Sequence, residues 1–524
     1  MLQTVVAADA PVRTRAPSFA EERWPLLVLA ALLAFAFVVR VVDLTSNPRG
    51  FFTDEASFGL NADLILHTAR DEHGAFMPFL FKSFGEYKLP AFVYAEVPFM
   101  AVLGRTELAV RLTAAVIGSL TVVTTYLCAR ELFRREAAAL ASAAFLAIEP
   151  WHVHYSRTGL GDIPCWPLGL TLSLWLFWRS RRLGTSLWPA ALAFGLTFYT
   201  YRASWVLLPP LLLAIVVLYR RELWAKRRDS LIAAGVLAVV LLPLARHILF
   251  GPSDRASQAW IFNIESEKSA PELFGQFYKS YFTSSFLFED GDNGFITRHF
   301  LPGQGELLWV QLPLILVGLF GLVQRLNRRY VVLLLMLPLF PLAGALSDAS
   351  PISSRTIVGS VVFALLSGAG LAYLVEAAAS LRRYGVYVAA GVVAAMAIAA
   401  GANFASYYDH YINDYPRLSA DYWGWQDGPQ AIIAHFLDVQ DEYDSLILDG
   451  QFNAPEIFVP FYAGTRCPKC IVGGTDRWEP GTRQLFALRP ENIPPQQFIF
   501  ETKGRLLYPD GTASFLFVEI KGKR

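Results

Sequence analysis

Asp54 and Glu55 stand side by side in FFTDEASFGLNA (51–62), and Glu86, Tyr87, Lys88 and Pro90 follow in GEYKLPAF (85–92). A carboxylate beside a hydroxyl takes its proton as the oxygen attacks, an effect worth roughly 10² to 10⁴-fold. Lysine and arginine hold a phosphate and stabilise the charge that grows on it as its bond to a neighbouring group breaks. More such residues recur along the chain. Arg105, Glu107 and Arg111 open ELAVRLTAAVIGSLT (107–121) or precede it; His152, His154, Tyr155, Arg157 and Asp162 lie in EPWHVHYSRTGLGDIP (149–164). Tyr199, Tyr201 and Arg202 lie in LTFYTYRAS (196–204), Asp292, Arg298 and His299 in LFEDGDNGFITRHFLPGQGELLW (287–309), and Arg355 in PISSRTIVG (351–359). One carboxylate with several cations suits transfer of a sugar from a lipid phosphate. Phosphate is a good leaving group, so a general acid is dispensable, unlike in the carboxylate pair of glycoside hydrolases.

These residues meet only if the chain brings them to one place, and the chain is a membrane protein. Of its 524 residues 54% are hydrophobic and 17% charged, against about 25% charged in soluble domains. The net charge of +1 gives no global basic field for nucleic acid. Apolar runs fall at 24–42, 111–129, 137–150, 164–178, 187–200, 205–219, 230–249, 307–323, 330–346, 356–377 and 384–402. A bilayer core takes about 20 apolar residues per span. The polar stretch 1–23, with Arg13, Arg15 and Arg23, has no small-residue cleavage pattern after it, so the first run reads as an uncleaved helix.

Residues 89–104 are short for a span and contain Glu96 and Pro98. Lysine and arginine cluster at 130–136, 179–182, 220–228, 324–329 and 381–383. Cytoplasmic loops carry the excess of these residues. All five clusters share a side with the N-terminus only if 89–104 lies in the interface as an amphipathic helix. The reading is about eleven spanning helices, with 43–110 as one external loop carrying juxtamembrane helices, and 250–306 as a long external loop. Residues 1–402 form the membrane domain. Residues 403–524 form a small extracytoplasmic α/β domain, with strand-like runs at 445–449, 497–501 and 513–520 and helix-like runs at 429–440 and 454–464.

Each candidate has a plainer role open to it. Asp54 and Glu55 can be a solvated loop, Lys88 can snorkel from an interfacial helix, and Arg111, Arg202 and Arg355 can mark helix ends. His152 and His154 with Asp162 lack a third clear metal ligand, and an interfacial aromatic cluster is favoured. Asp290-Gly291-Asp292 lacks the EF-hand spacing and reads as a turn, with donor contact by Asp292 left open. Cys467 and Cys470, in CPKC, read as a local disulfide. No internal repeat supports a transporter of the inverted-repeat kind.

Taken with their order and the topology, the quoted stretches resemble the dolichyl- or polyprenyl-phosphate-sugar branch of the GT-C glycosyltransferases, which holds the protein O-mannosyltransferases and the lipid A aminoarabinose transferase. The resemblance covers about 400 residues by the span of these motifs. It implies a GT-C-like fold and an inverting transfer from a polyprenyl-phosphate monosaccharide to a hydroxyl of a protein, lipid or glycan. It implies Asp54 as the catalytic carboxylate with Glu55 as its supporting neighbour. Lys88 resembles the lysine that contacts the donor phosphate, here in YKLP rather than KPP. Arg111, Arg202 and Arg355 are the further phosphate-binding candidates; Asp162, His154, Tyr155, Tyr201 and Asp292 are the substrate-binding ones. No cofactor and no metal are expected for the chemistry, which leaves a divalent ion open. The expected setting is a prokaryotic cytoplasmic membrane, the N-terminus cytoplasmic and the site outside. A flippase of lipid-linked saccharides and a lipid-diphosphate-dependent polymerase or ligase are the alternatives.

Overall fold

The computed structural model describes residues 23–251, 260–292, 294, 296–381 and 383–524. Arg13 and Arg15, part of the long loop (252–259) and Arg382 of the last basic cluster lie outside the described residues. Every one of the eleven apolar runs lies on a helix. The first is α1 (Trp24–Val41), followed by two helices of the first loop, α2 (Thr53–Thr68) and α3 (Pro90–Leu103). Then come α4 (Glu107–Phe133), α5 (Glu136–Ile148), the short α6 (Pro150–Tyr155), α7 (Asp162–Leu183), α8 (Trp188–Thr197), α9 (Ser204–Ala225) and α10 (Arg227–Phe250). The long loop carries α11 (Ala270–Ser280), which the sequence reading did not anticipate. After it run α12 (Gln311–Gln324), α13 (Arg328–Leu339), the short α14 (Leu342–Ala345), α15 (Val358–Ala379) and α16 (Gly385–Asn413). Among the described residues six stretches, 24–41, 107–133, 227–250, 328–345, 358–379 and 385–413, are long and apolar enough to cross a membrane.

Small residues let these helices touch backbone to backbone, as helices in lipid do. A side chain at Gly318 would run into the Leu366 carbonyl, and one at Gly370 into the Leu314 carbonyl, so α12 and α15 lie in direct contact. At one end of the bundle the basic clusters are stitched together by carboxylates. Arg182 bonds Glu131 at 2.6 Å, Arg328 bonds Glu222 at 2.7 Å alongside Arg181, and Arg325 bonds Glu376 at 2.8 Å alongside Arg135. The cations that the charge pattern assigns to one side therefore meet one another.

The opposite end holds the first loop and the tail, and these are joined. At 14 residues, α3 is about 21 Å long, short of a hydrocarbon core of about 30 Å. Just past its end Arg105 bonds Asp63 of α2 at 2.7 Å and the Phe461 carbonyl of the tail at 2.7 Å. Just before its start Lys88 bonds Asp54 of α2. Both ends of α3 thus face α2, and the tail meets the end at Arg105.

Helix α16 continues to Asn413, past the apolar run that ends at 402, and the short α17 (Tyr415–Leu418) follows. The tail then forms α18 (Pro429–Val439) and a five-stranded mixed sheet of order β4-β3-β5-β7-β6. Its strands are β3 (Ser445–Asp449), β4 (Cys470–Gly473), β5 (Gln484–Leu488), β6 (Phe498–Leu507) and β7 (Ala513–Lys523); β1 (Phe81–Ser83) and β2 (Glu86–Lys88) form a hairpin in the first loop. Within the tail sheet β3 pairs in parallel with β4 and β5, while β5, β7 and β6 pair antiparallel. The three expected strands are present. The helix expected over 454–464 is not one α-helix: it breaks into short turns at Pro455–Ile457 and Val459–Ala463. Pro455 and Pro460 supply no backbone N–H there. Cys467 and Cys470 are disulfide-bonded.

The junction of loop and tail is close at Gly50. Its φ is +95°, and a Cβ there would strike the Trp425 carbonyl. Gly50→Ala is expected to lose more than about 1 kcal/mol of stability, read as a lowered thermal midpoint in detergent. Gly85→Ala, with a similar φ of +81° but open space around it, should lose less.

Candidate active site

The site begins where α2 begins. Phe52 is extended, and its N–H is taken by the Glu55 carboxylate at 2.9 Å, the reach-back that closes a helix N-terminus. The next N–H, of Thr53, is taken by the side-chain oxygen of Gln426 from the tail at 3.0 Å. With both first donors satisfied, the first turn holds its two acids in opposite situations. Glu55 is fully buried, and Asp54 is 34% exposed.

Glu55 is committed to structure. Its oxygens pair with Arg111 Nε at 3.0 Å and Nη2 at 3.2 Å, and Oε1 also accepts the Gly159 N–H at 2.6 Å. Arg111, fully buried, gives its remaining hydrogens to the carbonyls of Leu44 (3.2 Å), Pro48 (2.8 Å) and Gly50 (2.5 Å). This corrects one expectation. A guanidinium with all its donors spent on the protein has none for a phosphate, so Arg111 braces the loop that leads into α2. Glu55 is its partner and the cap of α2, and does not reach a substrate.

Asp54 pairs with Lys88, Nζ to Oδ1 at 2.9 Å, and Nζ also lies 3.4 Å from the Asp54 carbonyl. Lys88 ends β2 and is 7% exposed, with its ammonium 4.5 Å from the Phe58 ring centre and 4.9 Å from that of Phe84. Aromatic faces and one carboxylate hold a dehydrated ammonium in place. Asp162 opens α7, before the apolar stretch 164–178. Burial pushes its carboxyl up to about 7, the Asp54 and Glu86 charges add to this, and Lys88 pulls the other way. Tyr201 feels Asp162 on one side and Arg355 on the other, and its hydroxyl bonds Ser354. Arg202 donates to the Tyr87 carbonyl, beside Lys88, at 2.6 Å. Arg355 bonds Asp348 at 3.2 Å and remains 29% exposed. Asp54, Lys88, Asp162, Tyr201, Arg202 and Arg355 thus come together on one face.

His154, Tyr155 and Asp292 do not line that face; they pin the loops behind it. His154 Nε2 meets the Arg298 carbonyl at 2.9 Å and Nδ1 the Tyr411 hydroxyl at 3.3 Å; burial lowers this imidazole to about 4. The Tyr155 hydroxyl meets Ser353 Oγ at 2.7 Å, and Asp292 accepts the Ser353 N–H at 2.9 Å. All three are buried, with these polar atoms engaged in holding one loop to another. His152 turns away from His154 to Arg40 at 2.9 Å. Among the described residues no group of three or more His, Cys, Asp or Glu side chains is placed to hold a metal.

Two residues join the site without having been assigned to it. Arg298 stacks its guanidinium 3.6 Å from the Phe52 ring centre and donates to the Trp423 and Gly424 carbonyls at 3.0 Å. Burial lowers its pKa, and the Asp54 carboxylate is the strongest opposing charge. Gln426, fully buried, fixes the Thr53 N–H described above and donates to the Asn453 carbonyl at 3.2 Å. Arg298 stood among the long-loop cations noted in the sequence but was given no role, and Gln426, one glutamine in the tail, has no sequence signal.

Asp54 and Lys88 pair at one end of a helical membrane bundle that carries a mixed-sheet tail, and this fold recurs among known proteins. Residues 89–246 match the family model described as dolichyl-phosphate-mannose-protein mannosyltransferase. The match begins just after Lys88, so it covers Asp162 and Arg202 but not Asp54. No curated protein sequence matches. Among solved structures, ArnT from Cupriavidus metallidurans bound to undecaprenyl phosphate is similar with a TM-score of 0.53 at 15% identity, over 94% of this chain and 98% of that one. The Archaeoglobus fulgidus oligosaccharyltransferase tethered with an acceptor peptide is similar at 0.55 and 14% identity, over 95% of this chain and 74% of that one. The archaeal oligosaccharyltransferase AglB from Archaeoglobus fulgidus, in complex with an inhibitory peptide and a dolichol-phosphate, gives 0.56 at 13%, over 95% and 74%. The chain is a multi-pass membrane glycosyltransferase of the lipid-phosphate-sugar class. Residues 89–246 carry the pattern of the dolichyl-phosphate-mannose-protein mannosyltransferase family model, and the fold is that of ArnT and AglB.

Two outcomes follow from this geometry. Arg111→Met leaves Glu55 buried without its partner, and loss of one member of a buried pair costs about 3–5 kcal/mol; thermal unfolding should show it. Asp162 ionises as pH rises through about 7, adding negative charge beside Lys88. Affinity for a phosphate should therefore fall across that range. The phosphate's own second ionisation, near pH 6, acts the other way, so the quantity to measure is the difference in undecaprenyl phosphate Kd between wild type and Asp162→Asn. The ratio should grow in favour of Asp162→Asn from pH 6 to 8.

Proposed function

We propose that the chain is an inverting glycosyltransferase that moves a monosaccharide from a polyprenyl phosphate to an acceptor hydroxyl. The observation that carries this reading is the Asp54–Lys88 pair, 2.9 Å apart at a partly open surface, with the Arg202 and Arg355 cations on the same face. The known ArnT structure holds undecaprenyl phosphate, which supports a lipid phosphate as the donor here.

Lys88 receives the donor phosphate, aided by Arg202 and Arg355. As the phosphate takes up the ammonium, Asp54 loses its partner and becomes a stronger base. Asp54 then removes the proton from the acceptor hydroxyl. The acceptor oxygen bonds to the sugar's anomeric carbon from the face opposite the phosphate. The bond from carbon to phosphate oxygen breaks, and its electron pair leaves with the polyprenyl phosphate. Asp162, close to neutral pH in its titration, tunes the charge around the pair.

The same reading places eleven helices across a prokaryotic cytoplasmic membrane, with the arginine-carboxylate network inside. The first loop, the long loop and the domain after about residue 403 then lie outside, and α3 lies in the interface. The contact of Arg105 with both α2 and the tail supports this placement of α3.

Purified protein incubated with polyprenyl phosphates carrying different monosaccharides should release polyprenyl phosphate from at least one. Asp54→Asn should lower that release by at least about 100-fold, the loss expected for a missing general base. Near-normal turnover in this variant would remove Asp54 from its role. A cysteine at position 105 should react with impermeant reagent from the external side; reaction from the cytoplasm alone would overturn the placement of α3.

A further inference from the structure

A second concave site lies behind α2, between the first loop and the tail. It is a cleft of about 340 Å³, at the low end of the 300–1,000 Å³ range of small-molecule sites. One wall is the turn from Thr45 to Phe51 with Glu107 at the start of α4. The other is Gln426 to Ala431, leading into α18, with Tyr462 closing the end. The walls are held to each other independently of any ligand. Arg49 bonds Asp427 at 2.7 Å, and the Tyr462 hydroxyl bonds Glu107 at 2.5 Å.

The lining decides what fits. Acceptors come from Asp427, Glu107 and the Gln430 amide. Donors come from Ser46 and from the first turn of α18, which opens into the cleft with Gly428 as N-cap and no side chain to cap it. A helix start of that kind leaves peptide N–H groups seeking acceptors. An apolar ligand would strand these groups. A phosphate would meet two carboxylates, with the one nearby guanidinium, Arg49, already paired to Asp427. Closely interleaved donors and acceptors beside the half-buried Tyr462 ring suit an uncharged ring bearing many hydroxyls, which offers both to each wall.

The cleft also adjoins the catalytic turn. Gln426 lines it and holds the Thr53 N–H, one residue before Asp54. The neighbouring carbonyls of Trp423 and Gly424 are held by Arg298, on the Asp54 side. The strip 423–427 is thus a wall shared by the two sites. We infer that the cleft is a carbohydrate subsite, which holds a sugar ring of the acceptor adjacent to the hydroxyl that is glycosylated. This rests on the glycosyltransferase reading above, and it names a glycan or glycosylated molecule as the acceptor class.

The test uses the full chain in detergent and ligand-observed saturation-transfer NMR. The probes are methyl α-mannoside, methyl β-glucoside and methyl β-N-acetylglucosaminide; undecaprenyl phosphate is the probe of the other site. Ala431→Trp and Gln430→Trp fill the cleft from exposed positions, where a large side chain leaves the core untouched. At least one glycoside should show ring-proton saturation in the wild type and in Lys88→Met, reduced at least fivefold in both tryptophan variants. Undecaprenyl phosphate should bind the tryptophan variants as it binds wild type. The inference is overturned if no glycoside is saturated, or if saturation survives in both tryptophan variants. It is equally overturned if inorganic phosphate displaces the glycoside, since an anion would then be the better occupant. Loss of undecaprenyl phosphate binding in wild type, with cleft-dependent glycoside saturation intact, would instead fail the donor reading and leave the sugar site standing.

Discussion

Arg111 and Glu55 are both fully buried, and that single pair constrains the rest of the site. Charges removed from water cost several kcal/mol each unless every polar atom is met. The chain meets them by wrapping. Residues 44–50 turn three carbonyls onto the guanidinium, and the Gly159 N–H comes from the second loop onto the carboxylate. The turn that satisfies Arg111 is also the turn that delivers Phe52 to the start of α2. Asp54 is therefore not placed by its own contacts. It is placed by its neighbour, whose commitment to Arg111 and to the Phe52 N–H leaves Asp54 as the acid at the surface.

The C-terminal sheet domain belongs to this site as much as the long helices do. Gln426 closes the second free N–H of α2, Asp427 clasps Arg49, and Phe461 and Tyr462 pack on Phe51 and hold Arg105 and Glu107. Arg298 ties the long loop to both Phe52 and the tail. Three segments distant in sequence thus converge on one helical turn. At its open side Asp54 and Lys88 neutralise each other.

Much of the architecture was legible in the sequence because apolar length and charge asymmetry are local signals. All eleven runs are helices, and the arginines assigned to one side meet at one end. The nearness of Asp54 to Lys88 was legible too, through resemblance and through keeping 43–110 in one loop. The limits have physical causes. Arg111 looked like a phosphate ligand because a buried arginine and an available one have the same letter, and only its four acceptors tell them apart. His154, Tyr155 and Asp292 looked like substrate contacts because polar residues in external loops read as exposed, whereas here they hold loop to loop. Gln426 carried no pattern, since its role depends on a fold that brings residue 426 to residue 53, and Arg298 was noted as a loop cation without a partner in view. The four-residue β4 and the amphipathic α11 were passed over for want of length or apolar character, and β5 was missed although it is as long as β3.

The central claim is that Lys88 is shared between Asp54 and the donor phosphate, and a double-mutant cycle on undecaprenyl phosphate binding tests it most directly. With the Kd measured for wild type, Asp54→Asn, Lys88→Met and the double variant, Asp54→Asn should bind more tightly than wild type, because the competing carboxylate is gone. Lys88→Met should bind at least tenfold more weakly, and the benefit of Asp54→Asn should vanish in its background. Equal tightening by Asp54→Asn with and without Lys88, or no loss in Lys88→Met, would contradict the account.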